Sequence, residues 1–181
     1  MKYKKLTGII LKKQNYREAD QIITFWSREA GKFRFLAKSV RLAKSKLSSQ
    51  LLDLNLVEIE VAGRGSLPIV ISATCQKSYK NLHQDLVKMG IAFYASELMM
   101  KMTADENPNE QAFNLIKDFL EKVDKEQVEK YILIDEFALS LAVCLGFGTP
   151  KKVESHFDVR SFMEDLMERN LKSETLLNQL I

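Results

Sequence analysis

The sequence predicts a two-part protein of β + α class: an N-terminal five-stranded barrel of OB-fold outline over residues 1–79, then an all-α helical domain over residues 80–181. Three observations predict this. Five short β-rich runs fill the first eighty residues. After Tyr79 the apolar period changes from alternating to helical. The charge changes sign at the same place. Residues 1–80 hold 16 Lys and Arg against 6 Asp and Glu, a net +10, and residues 81–181 hold 11 against 18, a net −7. Halves of opposite charge point to different partners for the two parts.

The strands are expected at residues 6–13, 21–27, 32–38, 54–61 and 67–74. The third alternates cleanly, with Lys32, Arg34 and Lys38 on one face and Phe33, Phe35 and Ala37 on the other. The doubled apolar pair Leu56 and Val57 breaks the alternation of the fourth, and a bulge is expected there. Turn signals stand at Gln14–Asn15, Ala30–Gly31 and Gly63-Arg64-Gly65. A short helix is expected at residues 45–52. Five strands with a helix between the third and fourth match the OB-fold, a barrel that binds oligonucleotides. An SH3-like barrel is the alternative.

In the second half, Leu82, Leu86, Met89 and Phe93 form one helical stripe, and Phe113, Ile116, Leu120 and Val123 a second. A third, strongly apolar helix runs from about residue 126 to 145 and stops at Gly146-Phe147-Gly148 with Pro150 beyond. Asp158 and Ser173 are expected N-caps of two terminal helices. The longest uncharged run, residues 137–150, is 14 residues, too short to span a bilayer. The basic N-terminus lacks the long apolar run and small-residue cleavage site of a signal peptide. A cytoplasmic protein without membrane contact is expected.

Cys75 and Cys144 stand far apart, as do His83 and His156, and none forms a metal-ligand motif. No bound metal and no cofactor are expected. Phosphate-loop, dinucleotide, nucleophile-elbow and zinc-protease signatures are absent, and Gly63-Arg64-Gly65 reads as a tight turn. Glu18 and Asp20 read as solvated or cation-paired carboxylates. The expectation is a non-catalytic protein. Met89, Met99, Met100, Met102, Met163 and Met167 suit either an adaptable peptide groove or a core, and core is the better reading.

The strongest local feature is Lys38-Ser39-Val40-Arg41-Leu42-Ala43-Lys44-Ser45-Lys46. It carries four cations in nine residues and no acid. Lys and Arg neutralise phosphates and release counterions, and Ser hydroxyls donate to phosphate oxygens. Lys12, Lys13, Arg17, Lys32 and Arg34 lie on neighbouring expected elements and are expected to extend the patch. Tyr16, Trp26 and Phe35 offer stacking faces for unpaired bases, although Trp26 and Phe35 read better as core. A rival reading is an interaction adaptor whose barrel binds a peptide and whose charge is incidental.

One long ordered pattern runs through this half. Thr7-Gly8-Ile9-Ile10-Leu11 leads to Tyr16-x-Glu18-x-Asp20. Thr24 and Ser27-x-Glu29-x-Gly31-Lys32 follow, then Ala37-Lys38-x-x-Arg41-x-x-Lys44-Ser45-Lys46. Leu51, Glu58 and Gly63-x-Gly65-x-Leu67 close it. The pattern resembles the RecO family of bacterial recombination mediators, and Phe137 with Leu145-Gly146-Phe147-Gly148 extends the likeness into the helical half. The resemblance implies an OB-fold followed by a helical domain. It implies binding of single- and double-stranded DNA, annealing of complementary strands, contact with single-stranded-DNA-binding protein, and a complex with the mediator RecR that helps load the RecA recombinase. Lys38, Arg41, Lys44 and Lys46 match the family's basic DNA-binding segment. Two departures stand out. Many members carry a zinc-holding cysteine cluster after the Leu-Gly-Phe helix, and here no cysteine follows Lys151, so no zinc is expected. The chain is also shorter than a typical member, so a reduced helical domain is expected.

Overall fold

The computed structural model describes residues 3–125, 130–148 and 158–167. Five strands come first: β1 (Tyr3–Tyr16), β2 (Asp20–Ser27), β3 (Gly31–Ala37), β4 (Leu56–Ala62) and β5 (Ile69–Lys77). Helices follow: α1 (Lys80–Gln84), α2 (Leu86–Met102), α3 (Glu110–Lys125), α4 (Lys130–Cys144) and α5 (Val159–Met167). Five strands precede the helices, as expected. Ser173 and His156 lie outside the described residues.

The strands close into a barrel in the order β1-β2-β3-β5-β4. β1 is long because it serves two neighbours. Its first half pairs with β4, from Tyr3 opposite Ala62 to Ile9 opposite Leu56, and its second half with β2, ending at Tyr16 opposite Asp20. The register slips between Ile10 and Lys12 along β1–β2. An extra residue there sharpens the strand's bend, which lets one strand turn between two partners. The doubled pair Leu56 and Val57 marks a second slip, against β5, as its broken alternation predicts. The turn expected at Gln14–Asn15 lies further on. Both residues are paired in β1, and the chain reverses at residues 17–19, where Arg17 takes a positive φ of 53°.

Inward-facing residues fill the barrel: Ile10, Ile23, Phe25, Phe33, Phe35, Val57, Ile59 and Val61 among them. Phe25 and Phe35 meet edge to face at 5.8 Å, the arrangement that ring quadrupoles favour. Val40 and Leu51, from the connection between β3 and β4, are buried with them. That connection does not form the short helix expected at residues 45–52. It is a run of turns, in which the Leu51 N–H donates to the Leu47 carbonyl at 3.0 Å. Ser48 and Ser49 explain this, because hydroxyls of such residues bond nearby carbonyls in place of the helix ladder. Ser48 donates to the Ser45 carbonyl at 2.8 Å.

The chain divides into two compact units: Met1–Tyr79 with Ala104–Phe113, and Lys80–Thr103 with Asn114–Ile181. Residues 104–113 therefore belong with the strands. Asp105 bridges to Lys32 of β3, and the Glu106 N–H donates to the Lys32 carbonyl at 2.9 Å. Gly31 permits this approach. A Cβ there would sit 2.4 Å from the Asn107 carbonyl oxygen, and φ at Gly31 is +67°. The Arg28 guanidinium lies 4.9 Å from the Phe113 ring centroid.

In the second unit, the expected stripe through Leu82, Leu86, Met89 and Phe93 is interrupted. Asp85 accepts from the Val87 and Lys88 N–H groups and so begins a new helix, leaving Leu86 exposed in its first turn. α2 is buried on nearly every side from Gly90 to Met99. The stripe Ile116, Leu120 and Val123 of α3 is buried as expected, and Phe119 packs on Phe137 of α4 at 4.5 Å between centroids. α4 ends in a Schellman motif. The Phe147 N–H donates to the Ala142 carbonyl and the Gly146 N–H to the Val143 carbonyl, with φ of +86° at Gly146. Asp158 caps α5, accepting from the Arg160 N–H at 3.0 Å and the Ser161 hydroxyl at 2.7 Å.

Candidate nucleic-acid interface

The segment 38–46 owes its position to what it buries. Val40 plugs the end of the barrel, and Leu47 and Leu51 pack with it. Their insertion turns Lys38, Arg41, Lys44 and Lys46 outward, and all four are exposed. The segment is then stitched to the β1–β2 turn. The Ser39 N–H donates to an Asp20 carboxylate oxygen at 2.7 Å, and the Arg41 N–H to the Ala19 carbonyl at 3.0 Å. The Arg41 guanidinium donates to the Glu18 carbonyl at 2.9 Å. Asp20 thus holds the cationic segment, while Glu18 contributes only its backbone. The same turn carries Arg17, whose guanidinium lies 5.2 Å from the half-exposed Tyr16 ring. Five cations and one aromatic ring thereby share one end of the barrel.

Strand register extends the array. Lys12 of β1 lies opposite Thr24 of β2, and Thr24 opposite Arg34 of β3. Directly opposed residues point to the same face. Lys12 and Arg34 are exposed there, so a cationic row crosses three strands.

Lys13 and Lys32 are placed differently. Lys13 lies opposite the buried Ile23, on the other side of β1 from Lys12. Its ammonium group sits 3.0 Å from the Asp53 carboxylate and donates to the Leu51 carbonyl at 3.3 Å. Lys32 is 3.2 Å from Asp105, with its side chain only 14% exposed. Each is held by a carboxylate that sequence spacing does not reveal, from 40 and 73 residues further on. Trp26 and Phe35 are buried, at 1% and 0% exposure, which leaves Tyr16 as the open stacking face of the three.

Cys75 and Cys144 belong to different units, and burial pushes both thiols up. Among the described residues, no three His, Cys, Asp or Glu side chains converge on a point that suits a metal ion. No helix among them is long and apolar enough to cross a membrane.

A closed five-stranded barrel with an exposed cationic end, followed by helices, defines a basic barrel-and-helix protein. Comparison with known families makes the assignment specific. The family model described as Recombination protein O N terminal matches residues 1–79, and that described as Recombination protein O C terminal matches residues 83–152. The chain belongs to the Recombination protein O (RecO) family. Its relatives include proteins named DNA repair protein RecO. One from Syntrophobacter fumaroxidans is 26% identical over 135 residues, covering 74% of this chain and 54% of that protein. One from Thermoanaerobacter sp. is 25% identical over 147 residues, covering 81% and 59%. One from Trichodesmium erythraeum is 34% identical over 124 residues, covering 68% and 43%. The chain thus matches about half the length of these relatives.

Proposed function

We propose that this chain is a non-catalytic DNA-binding mediator of recombination and repair, acting in the cytoplasm, which binds single- and double-stranded DNA and anneals complementary single strands. The observation that carries this reading is the exposed cationic end of the barrel. The barrel is best read as an OB-fold, on its strand order and on the placement of its cationic segment between β3 and β4. The division at residues 79 and 80 separates the DNA-binding part from the helical part, with residues 104–113 added to the first.

Annealing makes no covalent bond. A cationic surface lowers the repulsion between two phosphate backbones and raises their effective concentration. Lys12, Arg17, Arg34, Lys38, Arg41, Lys44 and Lys46 are the residues proposed to bind phosphate. Lys13 and Lys32 are proposed to support them, since each ammonium group already has a carboxylate.

Recombinase loading with a RecR-type mediator, and capture of the acidic tail of single-stranded-DNA-binding protein by the helical unit, complete the proposal. Tail capture rests on the family relationship. A shallow groove between α3 and α4, floored by Phe119, Leu133 and Phe137, offers the apolar surface. The nearby cations weigh against an acidic ligand: Lys117 lies 3.3 Å from Asp118 and Lys122 3.2 Å from Glu136. Lys101 pairs with Glu97 and Lys88 donates to the Asp124 carbonyl, while the Lys130 side chain is outside the described residues.

The deciding experiment is an anisotropy titration of the full chain with labelled single-stranded DNA at several salt concentrations. If about five phosphates are neutralised, log K falls with log salt with a slope of about −3 to −4. A flat dependence, or no binding at low salt, removes the proposal.

A further inference from the structure

Between β3 and β5 the barrel closes through a narrow seam. The two strands share one register pair, Leu36 with Ile69, where the Leu36 N–H donates to the Pro68 carbonyl at 2.8 Å. Four residues earlier, at Lys32, the edge of β3 is taken by Asp105 and Glu106. Alternation along a strand directs the backbone groups of Lys32, Arg34 and Leu36 to the same edge. Arg34 therefore turns its N–H and C=O toward the seam, and among the described residues no backbone partner meets them there.

A cavity of 460 Å³ opens beside this seam. Buried Phe33, Val61 and Pro68 line its apolar floor. Its rim carries Lys4, Arg64 and Ser66, with Glu106 from the 104–113 segment, and the Lys4 ammonium lies 5.9 Å from the Phe33 ring centroid.

We propose that this slot receives one unstacked base of a bound single strand, with the adjoining phosphate on Lys4 and Arg64. The inference rests on the DNA-binding reading and deepens it. The cavity falls within the size range of small-molecule sites, about 300–1,000 Å³. Its apolar floor suits a planar ring. Glu106 repels phosphate and so favours a backbone path over Lys4 and Arg64. An extended peptide fits less well, because strand addition relies on a run of main-chain bonds and one residue is unpaired.

The test uses the full chain, a labelled single-stranded oligonucleotide and its abasic counterpart of equal length. Stacking contributes enough per base for the wild type to prefer the base-bearing strand by about fivefold or more. Ser66→Trp, at an exposed rim position, closes the slot. It should lower that preference at least about threefold while leaving the salt slope unchanged. Lys4→Ala combined with Arg64→Ala should weaken both strands alike and make the slope shallower by about 1 to 2. An unchanged preference in folded Ser66→Trp, or unchanged affinities in the double variant, overturns the slot and leaves the DNA-binding reading standing. Failure of the wild type to bind either strand overturns that reading itself. An acidic peptide that displaces DNA from the wild type but not from Ser66→Trp would assign the slot to a protein partner and overturn the inference.

Discussion

Individual lysines of the basic half do different work according to what faces them. Lys38, Lys44 and Lys46 are exposed on a segment anchored by the buried Val40 and Leu51. Replacing the three with Ala should leave the melting temperature nearly unchanged, because exposed positions contribute little to stability. DNA affinity should fall by similar factors for unrelated sequences, since phosphate contacts carry no base information. Unchanged affinity in the folded triple variant would remove these residues from the interface. Lys13→Ala should behave in the opposite way. Its ion pair with Asp53 is partly buried, at 21% and 30% side-chain exposure, so its loss should cost roughly 1 kcal/mol of stability. DNA affinity should change little, and denaturant melts run beside binding titrations distinguish the two kinds of lysine. Arg41 combines both roles, because its guanidinium also ties the segment to the Glu18 carbonyl.

At the scale of the element, local signals in the chain mark what local physics decides. The alternation in β3, the doubled Leu56 and Val57, the glycine stop of α4 and the Asp158 cap all stand in the structure where the sequence marks them. Non-local pairings leave no such mark. Nothing around Lys13 announces Asp53, and nothing around Lys32 announces Asp105. The same holds for residues 104–113. Asn107-Pro108-Asn109 marks a break between helices, but its attachment to Gly31 depends on a contact across more than seventy residues. The cationic segment was legible by composition, while its outward display depends on Val40 and Leu51 entering the barrel.

Gly31→Ala tests that distant attachment. A Cβ would strike backbone, and φ there is +67°, so the substitution should cost more than about 1 kcal/mol in a denaturant melt. Asp158 gives a pH-dependent test. The Ser161 hydroxyl, then the Ser161 and Arg160 N–H groups, hold its carboxyl below the usual range. A lowered folded pKa adds stability above the unfolded pKa, near 4, and loses it as pH falls through the folded value. Asp158→Asn should therefore flatten the acid limb of the stability profile below about pH 4. An unaltered acid limb would show that the cap contributes nothing.

For the molecule as a whole, the separation of charge is the property with the widest reach. The net +10 of residues 1–80 concentrates anion attraction in the first part, and the net −7 of the remainder opposes it. Raising salt should weaken DNA binding far more than any apolar contact of the helical unit. Zinc content tests another property of the whole chain. With Cys75 and Cys144 in different units, protein purified without chelator should contain well under one zinc per chain. A stoichiometric zinc lost on mutating Cys144 or His156 would contradict this.

The assignment of residues 104–113 to the strand-bearing unit also bears on how the protein is made. A nascent chain ending at Tyr79 has every strand of the barrel but leaves the edge of β3 at Lys32 uncovered. An uncovered edge is a template for pairing with another chain, and emerging chains are most exposed to such mispairing. The Lys32 edge is covered only after Asp105 and Glu106 have also left the ribosome. A fragment cut at residue 79 keeps the cationic end yet should associate with itself in proportion to its concentration. Adding residues 104–113 as a separate peptide should suppress that association.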